Sequence, residues 1–320
     1  MSYKIFIDGE AGTTGLQVRD WLLQHPETQL IQLADADRKD PAHRRDAMAA
    51  ADAVILCLPD ESAIEAVEMA AGLNARIIDA STAHRTAEGW VYGFPELTKG
   101  QRDRISANRH IANVGCYASA MIAMIRPLTE HGLLSADAAI SVSAVSGYSG
   151  GGKSLISYMQ DDVSGANTPH HFAYALNLDH KHLPEVMMHG GLNKPPIFTP
   201  MVGDFYAGMM VMVPLHLDQM QKQVSLADIY TALGQHYQDE QFIKVHAPND
   251  QHQMNDRGFL GMDDLVGSNR MDIHLFYPEK RPDTTALLVA RLDNLGKGAS
   301  GAAVQNMNIA LGLDEATGLR

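Results

Sequence analysis

The rhythm of apolar and polar positions changes about a third of the way along the chain. In the N-terminal third, short apolar runs alternate with segments of helical spacing. Tyr3–Asp8, Gln29–Ala34, Ala53–Leu58 and Arg76–Asp79 read as strands, and Leu16–Leu23 and Glu61–Leu73 as helices. The run Ala53-Val54-Ile55-Leu56-Cys57-Leu58 is apolar on both faces. Strands of that kind, separated by amphipathic helices, predict a parallel sheet covered on both sides. His110–Asn113 reads as one more strand, and a helix-like run follows from Ala118 to Leu128.

Further on, the period becomes two. Ile140, Val142 and Ala144 alternate with Ser141 and Ser143, and Met271, Ile273, Leu275 and Tyr277 with Asp272, His274 and Phe276. Gly208–Val213 and Ala286–Leu292 also read as strands. Two-faced strands predict a mixed or antiparallel sheet. Ala299–Leu311 closes the chain as a helix, after the glycine-rich Gly296–Gly301. The fold expected is therefore α/β: a parallel sheet covered on both sides over residues 1–115, an α+β domain with a mixed or antiparallel sheet over 116–295, and a C-terminal helical segment over 296–320.

Composition narrows the function. The chain has 320 residues, enough for one large domain or two ordinary ones. Its net charge of −13 argues against nucleic acid or an anionic membrane as partner. No apolar run is long enough to span a bilayer. Met1-Ser2-Tyr3-Lys4-Ile5 leads straight into a strand, so no signal peptide is expected. Only two cysteines, Cys57 and Cys116, speak for a reducing cytoplasm rather than a disulfide framework.

Three motifs carry candidate chemistry. The turn Gly9-Glu10-Ala11-Gly12-Thr13-Thr14-Gly15 follows a strand and opens a helix, the context in which glycines let a backbone approach a pyrophosphate and helix N–H groups receive it. Some twenty residues on, Asp35 favours a ribose 2′-hydroxyl, and Arg38 and Lys39 favour a 2′-phosphate. Cys116 stands between a strand and a helix-like run, where the helix dipole and free N–H groups stabilise a thiolate. In Asp179-His180-Lys181-His182-Leu183-Pro184-Glu185, a histidine can serve as general base and then acid, with Glu185 orienting a ring. His180, His182, Glu185, His170 and His171 are also metal-ligand types, but one nearby thiol and loose spacing lead us to expect no metal.

A fourth motif is a decoy. Gly147-Tyr148-Ser149-Gly150-Gly151-Gly152-Lys153-Ser154 fits the P-loop pattern of a nucleotide triphosphatase. Its preceding strand alternates serine with apolar residues, and no apolar strand downstream ends in a magnesium-binding Asp. A loop that holds a substrate anion, with Lys153 supplying charge, fits better.

As a set, and in this order, the G-x-x-G-x-x-G turn, Asp79-Ala80-Ser81-Thr82-Ala83-His84-Arg85, Asn113-Val114-Gly115-Cys116-Tyr117, the Ser146–Lys153 loop and His180-Lys181-His182-Leu183-Pro184-Glu185 resemble the short form of the N-acetyl-gamma-glutamyl-phosphate reductase family. The resemblance covers essentially the whole chain. It departs from the family's usual N-P-G-C-Y-P-T at Val114, Ala118 and Ser119. It implies NADPH-dependent reduction of N-acetyl-glutamyl 5-phosphate to the semialdehyde, with phosphate release, through a Cys116 thioester in arginine biosynthesis. It further implies Cys116, His180 and His182 as catalytic residues. Gly9, Gly12, Thr13, Thr14, Gly15, Arg38 and Ser81 would contact NADP(H). Asn113, Ser146, Gly147, Lys153, Glu185 and Arg85 would meet the substrate, Arg85 through its phosphate or carboxylate unless it serves as a structural ion pair. The resemblance also implies a Rossmann-like dinucleotide-binding domain over residues 1–115, a catalytic, substrate and dimerisation domain over 116–295, a C-terminal helix over 296–320 packing back on the first domain, and a homodimer or homotetramer built through the second domain. An aspartate-semialdehyde dehydrogenase, a P-loop enzyme and a non-enzymatic dinucleotide-binding regulator are the alternatives.

Overall fold

The computed structural model describes residues 2–160, 170–221 and 223–320. Its chain forms two compact units, the first made of residues 1–95, 99–115 and 299–320, the second of 96–98 and 116–298.

Unit 1 runs β1 (Tyr3–Asp8), α1 (Thr13–Leu23), β2 (Thr28–Ile31), α2 (Pro41–Ala50), β3 (Ala53–Leu56), α3 (Asp60–Met69), β4 (Arg76–Asp79), β5 (Val91–Gly93), α4 (Gln101–Ala107) and β6 (His110–Asn113). All six strands lie parallel in the order β2-β1-β3-β4-β6-β5. Every residue of β3 is buried, as its two-sided apolar run requires. The order reverses between β1 and β3, the crevice where open α/β sheets bind ligands. Two helices escaped the sequence reading because their apolar faces are thin. Start signals for α2 were present: Asp40 accepts from the amides of Ala42 and His43, and Pro41 occupies the first helical position.

Unit 2 begins with α5 (Cys116–Glu130), then β7 (Ser141–Gly147), α6 (Gly152–Gln160), β8 (His171–Ala173), α7 (Leu183–Gly190), β9 (Ile197–Gly203), β10 (Met209–His216), α8 (Leu226–His236), β11 (Ile243–Val245), β12 (Met271–Phe276) and β13 (Thr285–Leu292). The seven strands follow the order β11-β12-β13-β10-β7-β9-β8, with parallel and antiparallel pairs mixed. Helix α5 is apolar nearly all round and lies against β10, β13, α7 and α8. Strand β9 was hidden in the sequence by Pro200, which sits in its middle opposite Ala144.

The chain then returns to unit 1 in α9 (Gly301–Leu311). Its Ala303, Val304 and Met307 share a core with Ile5, Ile55, Ile78 and Ile111.

Candidate active site

Unit 1 carries the glycine turn at the reversal point. Gly9 has φ +87°, and a Cβ there would strike the Cys57 carbonyl oxygen, so neither its conformation nor its space admits a side chain. A Cβ on Gly15 would lie 2.5 Å from the Gly9 carbonyl oxygen. Gly12 caps α1, whose first turn holds no acidic side chain. The Thr13 hydroxyl is buried without a hydrogen-bond partner. Bare backbone, open helix amides and an unmet hydroxyl fit a dinucleotide pyrophosphate.

The charged loop beyond β2 meets that turn. Arg38 pairs with Asp35 at 3.1 Å and lies 3.7 Å from Glu10, the second residue of the turn. The guanidinium therefore stands at the turn, where a 2′-phosphate contact is needed, with Asp35 as its ion-pair partner. Ser81 is held locally: its hydroxyl donates to Asp79 at 2.6 Å and its amide at 2.9 Å.

Two expected substrate contacts, Arg85 and Asn113, are engaged by the protein itself. Arg85 is buried and donates to the carbonyl oxygens of Asn113 (3.0 Å), Ala80 (3.2 Å) and Val114 (3.3 Å). It braces the backbone just before Cys116. Asn113, fully buried, donates to the Ala299 carbonyl and accepts from the Asn306 amide. These bonds satisfy buried carbonyls, which left unpaired would cost more than a typical hydrogen bond returns.

Unit 2 opens at Cys116, the first residue of α5. Its side chain thus leaves the first turn of a helix with no acidic residue there, the end where the helix dipole favours a thiolate. Cys57 is unlike it: burial first, then Asp79 and Asp8, push that thiol up to about 12, which keeps it an inert thiol at neutral pH.

The expected histidines gather around Tyr117. This buried ring lies edge-on to His180 at 5.8 Å, tilted to His182 at 6.1 Å and edge-on to Phe198 at 5.2 Å, and its hydroxyl donates to the Met201 carbonyl. Burial raises the Tyr117 hydroxyl far above its ordinary range, and Tyr174 and Cys116 add to the push. Tyr174 is raised by burial and also feels Cys116; its hydroxyl pairs with His180 Nε2 at 3.4 Å. His180 Nδ1 accepts from the His182 amide at 3.1 Å, so its neutral ring carries the proton on Nε2. Burial, then Lys181, lowers the His180 pKa to about 4. His182 Nε2 faces buried Glu185 at 3.9 Å. Neither tyrosine was singled out from sequence, because an aromatic beside a cysteine reads as core packing.

The Gly147–Ser154 segment is not a nucleotide P-loop. Its strand β7 lies between antiparallel β10 and parallel β9 in the mixed sheet. Gly147 is required by its neighbour, since a Cβ would lie 2.5 Å from the Tyr206 carbonyl oxygen. Ser146 is buried and donates to the Gly147 carbonyl, while Ser149 accepts from Asn294 at 2.9 Å. Lys153 is exposed on α6.

Among the described residues, the histidines and carboxylates that converge with ligand spacing are His246, Asp272 and His274, not the His180 cluster. Two features oppose a cation there. Asp272 is already paired with Arg270, Arg291 and His246. The two imidazoles stack 4.5 Å apart with an interplanar angle of 5°, so their in-plane lone pairs do not meet. His170 and His171 are exposed, His170 pairing with Asp204 at 2.9 Å.

Comparison with known proteins agrees over both units. The semialdehyde dehydrogenase NAD-binding domain matches residues 4–106, and the semialdehyde dehydrogenase dimerisation domain matches residues 116–294. An N-acetyl-gamma-glutamyl-phosphate reductase of Trichormus variabilis is 47% identical, with 99% of each chain aligned. One of Brucella suis is 48% identical over 98% of this chain and all of its own. Among solved structures, Vibrio cholerae aspartate semialdehyde dehydrogenase II has a TM-score of 0.71 at 15% identity, covering 97% of this chain and 98% of its own. The Candida albicans enzyme with NADP has a TM-score of 0.61 at 14% identity, covering 97% and 98%. At such identities the two structures speak for the fold alone.

Proposed function

The chain belongs to the semialdehyde dehydrogenase family, among the N-acetyl-gamma-glutamyl-phosphate reductases, and from that premise we propose that it reduces N-acetyl-L-glutamyl 5-phosphate to the 5-semialdehyde for arginine biosynthesis. The observation that carries the reading is Cys116 at the open start of α5, in the same unit as a buried His180–His182–Glu185 cluster gathered on Tyr117.

The chain's own groups account for each proton and charge. Cys116 Sγ attacks the acyl carbon, the bond to phosphate oxygen breaks, and a thioester forms. His180 stays neutral above pH about 4, with Nδ1 engaged by the His182 amide and Nε2–H left to donate, so His182 beside Glu185 is the group that takes the thiol proton. First-turn amides of α5 receive the oxyanion that develops on the acyl oxygen. When bound, NADPH supplies the hydride, with Gly9, Gly12, Thr13, Thr14 and Gly15 seating its pyrophosphate and Arg38 its 2′-phosphate. Collapse of the oxyanion releases aldehyde and returns the thiolate. Ser146, Gly147 and Lys153 flank the substrate on the β7 side, and Glu185 orients the His182 ring. A reducing cytoplasm suits two cysteines that form no disulfide.

The deciding experiment follows NADPH absorbance with semialdehyde, phosphate and NADP in the reverse direction. Cys116→Ser is expected to abolish turnover and leave fold and NADPH binding intact, while Cys57→Ala keeps activity. Turnover near the parent level in Cys116→Ser would falsify the thioester route.

A homodimer through unit 2 belongs to the same reading. One face of its sheet is covered by helices. The other shows Val145, Met210 and Met212 half-buried beside exposed Met201, an apolar patch by strand register. Sedimentation is expected to show a dimer that Met210→Lys/Met212→Lys splits; a monomeric parent overturns it.

A further inference from the structure

The last turn of unit 2 presses on Cys116. Residues Gly296–Ser300 make one π-type turn, a rare element found often at functional sites. A Cβ built on Gly298 would lie 2.8 Å from Cys116 Cβ and 3.1 Å from its Cα. Only a hydrogen fits in that space. The turn is itself firmly held. Gly298 N–H donates to the Asp293 carbonyl at 3.0 Å, and the Asp293 carboxylate accepts from the amides of Leu295 and Gly267. Next to Gly298, the Lys297 ammonium pairs with Glu96 at 2.7 Å; both are buried, and the ammonium lies 5.5 Å from the centre of the Phe242 ring. The segment bearing Glu96 is tied in turn by His236, whose Nε2 donates to the Glu96 and Leu97 carbonyls.

We propose that Gly298 is a positioning residue for the nucleophile: its bare backbone is a wall that fixes the Cα–Cβ bond of Cys116, and the buried Lys297–Glu96 pair holds the wall in place. A buried ion pair is weak evidence for stability, since desolvation offsets most of its attraction. It does fix a position well, because neither charge has another low-energy arrangement inside protein. A nucleophile displaced by about 1 Å loses on the order of a hundredfold in rate. The inference rests on Cys116 being the nucleophile, and its test separates the two.

Gly298→Ala, Cys116→Gly and the double variant form a cycle. Gly298→Ala is expected to lower Tm, and most of that loss should disappear in the Cys116→Gly background, where the Cβ it strikes is gone. In Gly298→Ala, kcat should fall about a hundredfold, with the semialdehyde KM and the NADPH Kd, read by fluorescence, within about twofold. Alkylation of Cys116 by iodoacetamide, without substrate or cofactor, should slow, and its pH midpoint should rise as sulfur leaves the α5 amides. Glu96→Gln/Lys297→Met removes both charges together and should shift kcat and alkylation the same way; it serves also if Gly298→Ala does not fold. Additive Tm losses, or kcat and alkylation at parent values in either variant, overturn the wall. Retained turnover in Cys116→Ser would instead sink the nucleophile reading, while the Tm cycle still reports the contact.

Discussion

Two glycine-rich segments, Gly9–Gly15 and Gly147–Ser154, each join a strand to a helix, and only one is built for a dinucleotide. The first follows β1, whose two neighbours are parallel and diverge at the crevice. Its Gly9 is packed on the end of β3, and α1 buries Gly15, Val18 and Leu22, so the helix N-terminus is aimed and rigid. The second follows β7, one neighbour of which is antiparallel. Its glycine contact is with the chain at Tyr206, and α6 buries none of its residues. A phosphate needs several amides fixed toward one point. A helix without a buried face cannot hold them there, whatever its glycine spacing.

The sharpest way to break this comparison is Gly9→Ala. A side chain at φ +87°, driven into the Cys57 carbonyl, costs at least ~1–2 kcal/mol in conformation before the clash is counted. NADPH affinity should fall about a hundredfold or more, read by fluorescence titration, with a lower Tm. Parent-like binding would mean that the turn is only structural.

Next comes Arg38→Ala. Loss of a charge-assisted contact, about 1.5–3 kcal/mol, should raise the NADPH KM by one to two decades and leave that for NADH nearly unchanged. Its pairing with Asp35 and closeness to Glu10 make the NADPH effect fall toward the lower end, because binding must trade those contacts. Equal effects on both cofactors would remove Arg38 from the 2′-phosphate.

Lys153→Ala has the smallest expected effect. Calorimetry should show no ATP–magnesium binding by the parent, and the variant should keep its NADPH affinity. With the ammonium exposed, kcat/KM should drop by no more than about tenfold, since screened surface charges contribute ~1 kcal/mol or less. Micromolar ATP–magnesium binding that the variant loses would restore the P-loop reading.

The sequence by itself determined what depends on neighbours along the chain. The two-sided apolar strands of unit 1, the helix start at Cys116 and the histidine pair His180–His182 were legible there, because periodicity, glycine spacing and short-range motifs express local backbone physics. Some local signals were present but passed over, such as the Ser225–Asp228 capping box that opens α8. Only the tertiary structure decided the rest. Arg85 and Asn113 have no partners in a string of letters; folding gives Arg85 the carbonyls of Asn113 and Val114, and Asn113 the Ala299 carbonyl and the Asn306 amide. Pro200 looks like a strand breaker until β9 is seen to carry it between two neighbours. Gly298 looks like one glycine among several until Cys116, 182 positions earlier in numbering (298 minus 116), is found against it. Such roles arise from what folding brings within contact distance, and a buried polar atom or an occupied space has no signature in the sequence near it.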